Sequence, residues 1–215
     1  MRDGRFCLAF TLVELLVTLA IMGGLAAAIL SASGYVRGSA DRSKAISNMR
    51  AIGSGIGLYA ADHDGLLPGP LWPGQMPQLD PNRDGRLVRE LAPYLGIETP
   101  SQPVVIDLFV PPAYRRVMGN DALSTARTYV VNMDVDDAGS SINPWGTLVG
   151  NTGSTPLRLS SVPHNAWAFS DADQGHPRVS AASWASNTPE KPIHGKRLAW
   201  FFNGSVEGVN EEDLQ

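Results

Sequence analysis

Thiols are almost absent from this chain: its only cysteine is Cys7. If the first nine residues are removed, no disulfide, thiolate metal site or cysteine nucleophile is possible. Basic charge is also scarce. With 17 Lys and Arg against 21 Asp and Glu, the net charge is -4, which argues against the basic face that nucleic-acid binding needs. The sequence holds no G-x-S-x-G elbow, Walker loop or dinucleotide fingerprint, so the common hydrolase and nucleotide chemistries lack their scaffolds. No internal repeat and no low-complexity tract occurs. Disorder throughout is excluded as well, because 43% of the residues are hydrophobic and 18% charged.

What is present is unevenly spread. Charge disappears between Phe6 and Leu30 except for Glu14. From Phe10 to Leu30 the run is about 31 Å long as a helix, enough to cross a hydrocarbon core once. A carboxylate in such a span costs on the order of 2.5–3.5 kcal/mol at the bilayer centre and marks a functional residue in need of a partner. A removable secretory signal is the rival reading, with A-x-A-like sites near Ala26–Ala28 or Ser31–Ser33. Against it, the run exceeds the usual length and Glu14 interrupts it. Charge does not orient the span: Arg2 and Arg5 precede it, while Arg37, Arg42, Lys44 and Arg50 follow.

The stretch FTLVELLVTLAI, preceded by the short basic leader MRDGRFCLA, resembles the type IV prepilin signal found in pilins and type II secretion pseudopilins. The resemblance implies cleavage by prepilin peptidase between Ala9 and Phe10, N-methylation of Phe10, and Glu14 as the fifth mature residue. In the family this glutamate neutralises the terminal amine of a neighbouring subunit. Two positions depart from the pattern: Ala9 stands where glycine is usual, and Gly23-Gly24 lies where a mid-helix proline is common. Two glycines there permit local unwinding of the helix, at about 1 kcal/mol each relative to alanine. The implied location is the bacterial inner membrane, single-pass, with the C-terminal domain outside the cytoplasm and the chain in a filament after assembly. The implied partners are prepilin peptidase and other pilin or pseudopilin subunits, and no enzymatic activity is expected.

Beyond the apolar run, Ala45/Ile46, Met49, Ile52, Ile56 and Tyr59/Ala60 recur in steps of three and four, which predicts an amphipathic helix. Gly53, Gly55 and Gly57 weaken it intrinsically, so packing on a sheet has to stabilise it. His63–Gly65, followed by Pro68, supplies a stop. The segment NMRAIGSGIGLYAADHDGLLP is similar to the second half of the pilin helix in pseudopilin-like proteins. Glycine and proline are plentiful after residue 62, which suggests a loop-rich domain. Strands are predicted over Thr128–Val135, Ala166–Asp171 and Arg197–Phe202, the last turning at Asn203-Gly204 into a hairpin. A short helix is expected at Arg86–Leu95, ended by Gly96. The fold class is therefore α+β: a long N-terminal helix packed on a small antiparallel sheet, pilin-like by the resemblance. The divisions are a leader over 1–9, a membrane helix over 10–32, an amphipathic helix over 33–62 and a globular domain over 63–215.

Four candidate chemistries remain. DPNRDG matches the start of a calcium loop, with Asp80, Asn82 and Asp84 as possible ligands and Gly85 for the turn, although Leu91 occupies the twelfth position. A polar turn explains the same residues. His164, Asp171, Asp173 and His176 fit no zinc spacing and read as loop residues coating a surface. HGKRLAWFFNGSVEGV partly resembles the end of a pseudopilin-like group with a histidine and a later Asp-Gly, so His194 is expected to orient a strand edge. The five tryptophans either anchor the core or line a ligand surface. Besides an assembly subunit, the sequence permits a membrane-tethered module binding glycan, protein or calcium, and a secreted enzyme with a removable signal.

Overall fold

The structure, a computed structural model, describes residues 11–148 and 153–214, with Ser31 and Ala32 as helical backbone only. Ala9 and Phe10 lie outside the described residues. Helix α1 (Leu12–Asp62) runs for 51 residues. The chain divides into two compact units, residues 1–40 and 41–215, and each is described by itself.

In the first unit the stretch of α1 over residues 12–30 is apolar on every side apart from Glu14 and Thr18. Leu12, Leu16, Leu19, Met22, Leu25, Ile29 and Leu30 are all exposed. It is the one helix among the described residues long and apolar enough to cross a membrane. Gly23 and Gly24, which permit local unwinding, are both helical. A Cβ added at either would meet nothing within 4 Å, so packing among the described residues does not require glycine there.

In the second unit the predicted periodicity becomes a packed face. Ala45, Met49, Ile52, Ile56 and Ala60 are buried, each large side chain contributing about 1.5–3 kcal/mol by leaving water. The helix stops where the amide of Gly65 donates to the Ala60 carbonyl at 2.8 Å, with Asp64 in the left-handed region at φ 53°.

Nine short strands follow among the described residues: β1 (Gly74–Gln75), β2 (Gln78–Leu79), β3 (Val104–Val105), β4 (Tyr129–Val131), β5 (Val135–Asp137), β6 (Ser140–Ile142), β7 (Trp167–Asp171), β8 (Arg197–Phe201) and β9 (Val206–Val209). Five form one antiparallel sheet in the order β1-β4-β7-β8-β9, while β2-β3 and β5-β6 are separate pairs. The architecture is α+β. Alternation gives the large sheet two cores. Tyr129, Val131, Phe169, Leu198 and Trp200 join the α1 face, whereas Val130, Trp167 and Ala199 pack with Ala172, Val179 and Leu214 on the other.

Three details revise the sequence reading. Thr128–Val135 is not one strand, because the side chain of Asn132 bonds the Trp167 carbonyl at 3.1 Å and accepts from the amide of Asp134 at 3.2 Å. That turn sends β5 into another pair. The helix expected at Arg86–Leu95 becomes α2 (Leu87–Leu91) and a separate 3₁₀ turn at Pro93–Leu95, divided where proline lacks an amide. A second short helix, α3 (Tyr114–Met118), had no distinct signal. The β8–β9 hairpin forms at Asn203-Gly204, with Trp200 opposite Val206 and the amide of Ser205 donating to Asn203 Oδ1 at 2.8 Å.

Candidate functional site

Helix α1 begins with a reciprocal cap. Glu14 Oε2 accepts from the Thr11 amide at 2.9 Å and from the Thr11 hydroxyl at 2.8 Å, while the Glu14 amide donates to Thr11 Oγ1 at 3.3 Å. Thr11 and Glu14 thus occupy the N-cap and N3 positions of a capping box, which satisfies backbone donors that the helix leaves unpaired. The T-x-x-E spacing of Thr11-Leu12-Val13-Glu14 carries this signal in the sequence. No lysine or arginine pairs with Glu14 among the described residues. Its charge is exposed on a helix of exposed apolar side chains, held only by a threonine.

The polar cluster around Asp171 overturns the expectation of surface loops. Asp171, Asp173 and His176 are buried, and only His164 is exposed. Asp173 accepts two bonds from Arg197, at 2.5 Å to Nε and 2.8 Å to Nη2. Asp171 Oδ2 accepts from the Leu198 amide at 3.1 Å, but its Oδ1 and the hydroxyl of Tyr129 have no partner among the described residues. Burial pushes the Asp171 carboxyl up to about 7, the Leu198 amide opposing and the nearby Asp173 charge adding to the shift. The sequence hid this, since polar residues after a strand usually read as loop.

Ser170 and His176 sit 2.9 Å apart, oxygen to Nε2, a pairing that invites a nucleophile–base reading. The tautomer argues otherwise. The Arg178 amide donates to His176 Nδ1 at 3.0 Å, which leaves the proton on Nε2 and makes it the donor to Ser170 Oγ. A base must accept at that nitrogen, and Ser170 is fully buried. Burial, with Arg197 and Arg178 nearby, holds the imidazole down to about 3, so it is neutral at physiological pH. The pair pins the segment after β7 onto the sheet.

At the calcium-like loop each carboxylate has an arginine. Asp80 meets Arg83 at 3.3 Å and accepts from the Asn82 amide at 2.9 Å, and Asp84 pairs with Arg89. Asp80 and Asn82 therefore adopt the geometry of an Asx turn. Among the described residues no group of three or more His, Cys, Asp or Glu is placed to hold a metal. His194 is half-buried, and its Nε2 has no hydrogen-bond partner among the described residues. No bond from that nitrogen ties it to a strand edge, and burial lowers its basicity.

No family model matches the chain, nor does any curated protein or solved structure.

Proposed function

We propose that the chain is a pilin-like assembly subunit. Prepilin peptidase cuts between Ala9 and Phe10 and methylates the new amine at Phe10. The apolar unit then holds the subunit in the inner membrane, with the second unit outside the cytoplasm. Subunits join through their N-terminal helices, the Phe10 amine of one copy meeting the Glu14 carboxylate of the next.

The observation that carries this reading is the lone acid on an all-round apolar helix with only Thr11 as partner. A helix apolar on every side is stable in lipid or against other apolar helices, and in lipid an unpaired carboxylate is costly. A cation from a second copy removes that cost. The same cation placed near a helix N-terminus would otherwise oppose the helix dipole, so Glu14 serves both charges. The separation of an apolar unit from a self-contained globular unit suits a subunit that polymerises by one part and displays the other.

Mass spectrometry of the N-terminal peptide from the native host tests the proposal. A mature chain starting at N-methylated Phe10 is expected. A chain starting at Met1, or near Gly34, removes the basis for it.

A further inference from the structure

The second unit has an apolar cleft of about 670 Å³ beside β1, lined by Trp72, Gly74, Arg86, Arg127, Met133 and Trp184, among others. Three of the five tryptophans, Trp145, Trp167 and Trp200, are core residues, whereas Trp72 is 45% exposed and Trp184 half-buried. The cleft therefore holds the two tryptophans that are not fully buried, Trp72 and Trp184, the second of which also packs on the core formed by Val130, Trp167 and Val179.

The cleft brings together two arginines that form no ion pair among the described residues. Six arginines in this unit pair with carboxylates, most of them on the surface. Arg86 and Arg127, both in the cleft and both half-buried, pair with no carboxylate among the described residues. Arg86 Nη1 donates to the Gly74 carbonyl at 2.8 Å, while its Nε is buried without a hydrogen-bond partner among the described residues. Arg127 Nη1 donates to the Thr125 carbonyl at 2.7 Å, and its guanidinium lies 6.0 Å from the centre of the Trp184 ring. Gly74 makes room for this packing: a Cβ there would stand 2.8 Å from the Trp184 ring and 3.0 Å from Arg127 Cδ.

Two half-buried cations that repel one another and lack an acid are a cost to the folded state. Burial, and after it the Arg127 charge, lowers Arg86 to about 10, so both remain charged near neutrality. A planar guanidinium matches a carboxylate with two parallel bonds, and the cleft volume is that of a small-ligand site.

We propose that this cleft binds a carboxylate carried on a ring, the acid between Arg86 and Arg127 and the ring face against Trp72 and Trp184. Such a ring comes from a uronic acid or from an aromatic acid. The inference does not depend on filament assembly, since it uses the second unit alone.

The test uses the full chain in non-ionic detergent, titrated separately with galacturonate, benzoate and their neutral counterparts galactose and benzyl alcohol. Tryptophan fluorescence and ligand-observed NMR follow binding. At least one acid is expected to bind about tenfold or more tightly than its neutral counterpart, a difference of the size a charge-assisted bond gives. Galacturonate winning identifies a saccharide ligand, benzoate an aromatic one. Arg127→Gln is expected to abolish the preference and leave the melting temperature unchanged or higher. As a check needing no variant, raising salt to about 0.5 M should weaken the acid and spare the neutral compound. Equal binding of acid and neutral compound, absence of binding by both acids, or an Arg127→Gln preference equal to wild type overturns the proposal.

Discussion

At the scale of single residues, Glu14 caps the helix, and substitution separates that role from the proposed one in assembly. Glutamine keeps the capping box but not the charge, whereas alanine loses both. If charge pairing with the next subunit's amine drives assembly, Glu14→Gln and Glu14→Ala are equally defective in filament formation, measured by recovery of sheared filaments. A glutamine variant that assembles normally would assign the residue to the cap. Asp171 makes a second prediction. Its carboxyl is raised in the fold to about 7 from an ordinary 3.8, so the folded chain holds a proton that the unfolded chain releases. Stability therefore falls as pH rises from about 4 to 7 and levels above that, by a few kcal/mol at about 1.4 per pKa unit. Urea unfolding at pH 5 and pH 8 should show this decline, and Asp171→Asn should flatten it; an unchanged slope in the variant would refute the assignment. Glu14 was legible because a lone charge stands out in an apolar run. Asp171 was not, because burial of a polar residue depends on what Tyr129 and Leu198 bring to it from distant parts of the chain.

Among the elements, the second-unit stretch of α1 was the most legible, since Ala45, Met49, Ile52, Ile56 and Ala60 fix its buried face by spacing alone. Its glycines looked alike in sequence and differ in the fold. A Cβ on Gly53 would stand 2.2 Å from Trp200 Nε1, while one on Gly57 would meet nothing within 4 Å. Gly53→Ala is thus expected to destabilise the second unit by about 1–3 kcal/mol through overpacking. Gly57→Ala should stabilise it by up to about 1 kcal/mol through helix propensity. Thermal melting of the two variants in opposite directions would verify the pairing; the same direction would contradict it. The strands divided along similar lines. β7, β8 and β9 announce themselves through β-branched and aromatic residues and a turn dipeptide. β1 is a two-residue Gly-Gln strand, and nothing local distinguishes it from loop; pairing with Tyr129 and Val130 creates it.

For the whole molecule, the division at residues 40 and 41 separates an apolar helical stretch long enough to cross a membrane from the unit that holds the packed cores. A chain beginning at Asp41 should remain in aqueous solution as a monomer, while the full chain should require detergent; sedimentation of both would decide it. A truncated form that sediments as a multimer would move self-association to the second unit. The large sheet bears on the same question through its two margins. At one, Arg86 occupies the Gly74 carbonyl of the short β1. At the other, the Arg42 guanidinium lies against β9, where a Cβ on Gly208 would come within 2.8 Å of it. Both open rims of the ladder thus carry a cation, and like charges would face each other if two copies met rim to rim. A cation at each margin disfavours backbone pairing between neighbouring copies, the route by which exposed sheet edges join into amyloid-like stacks.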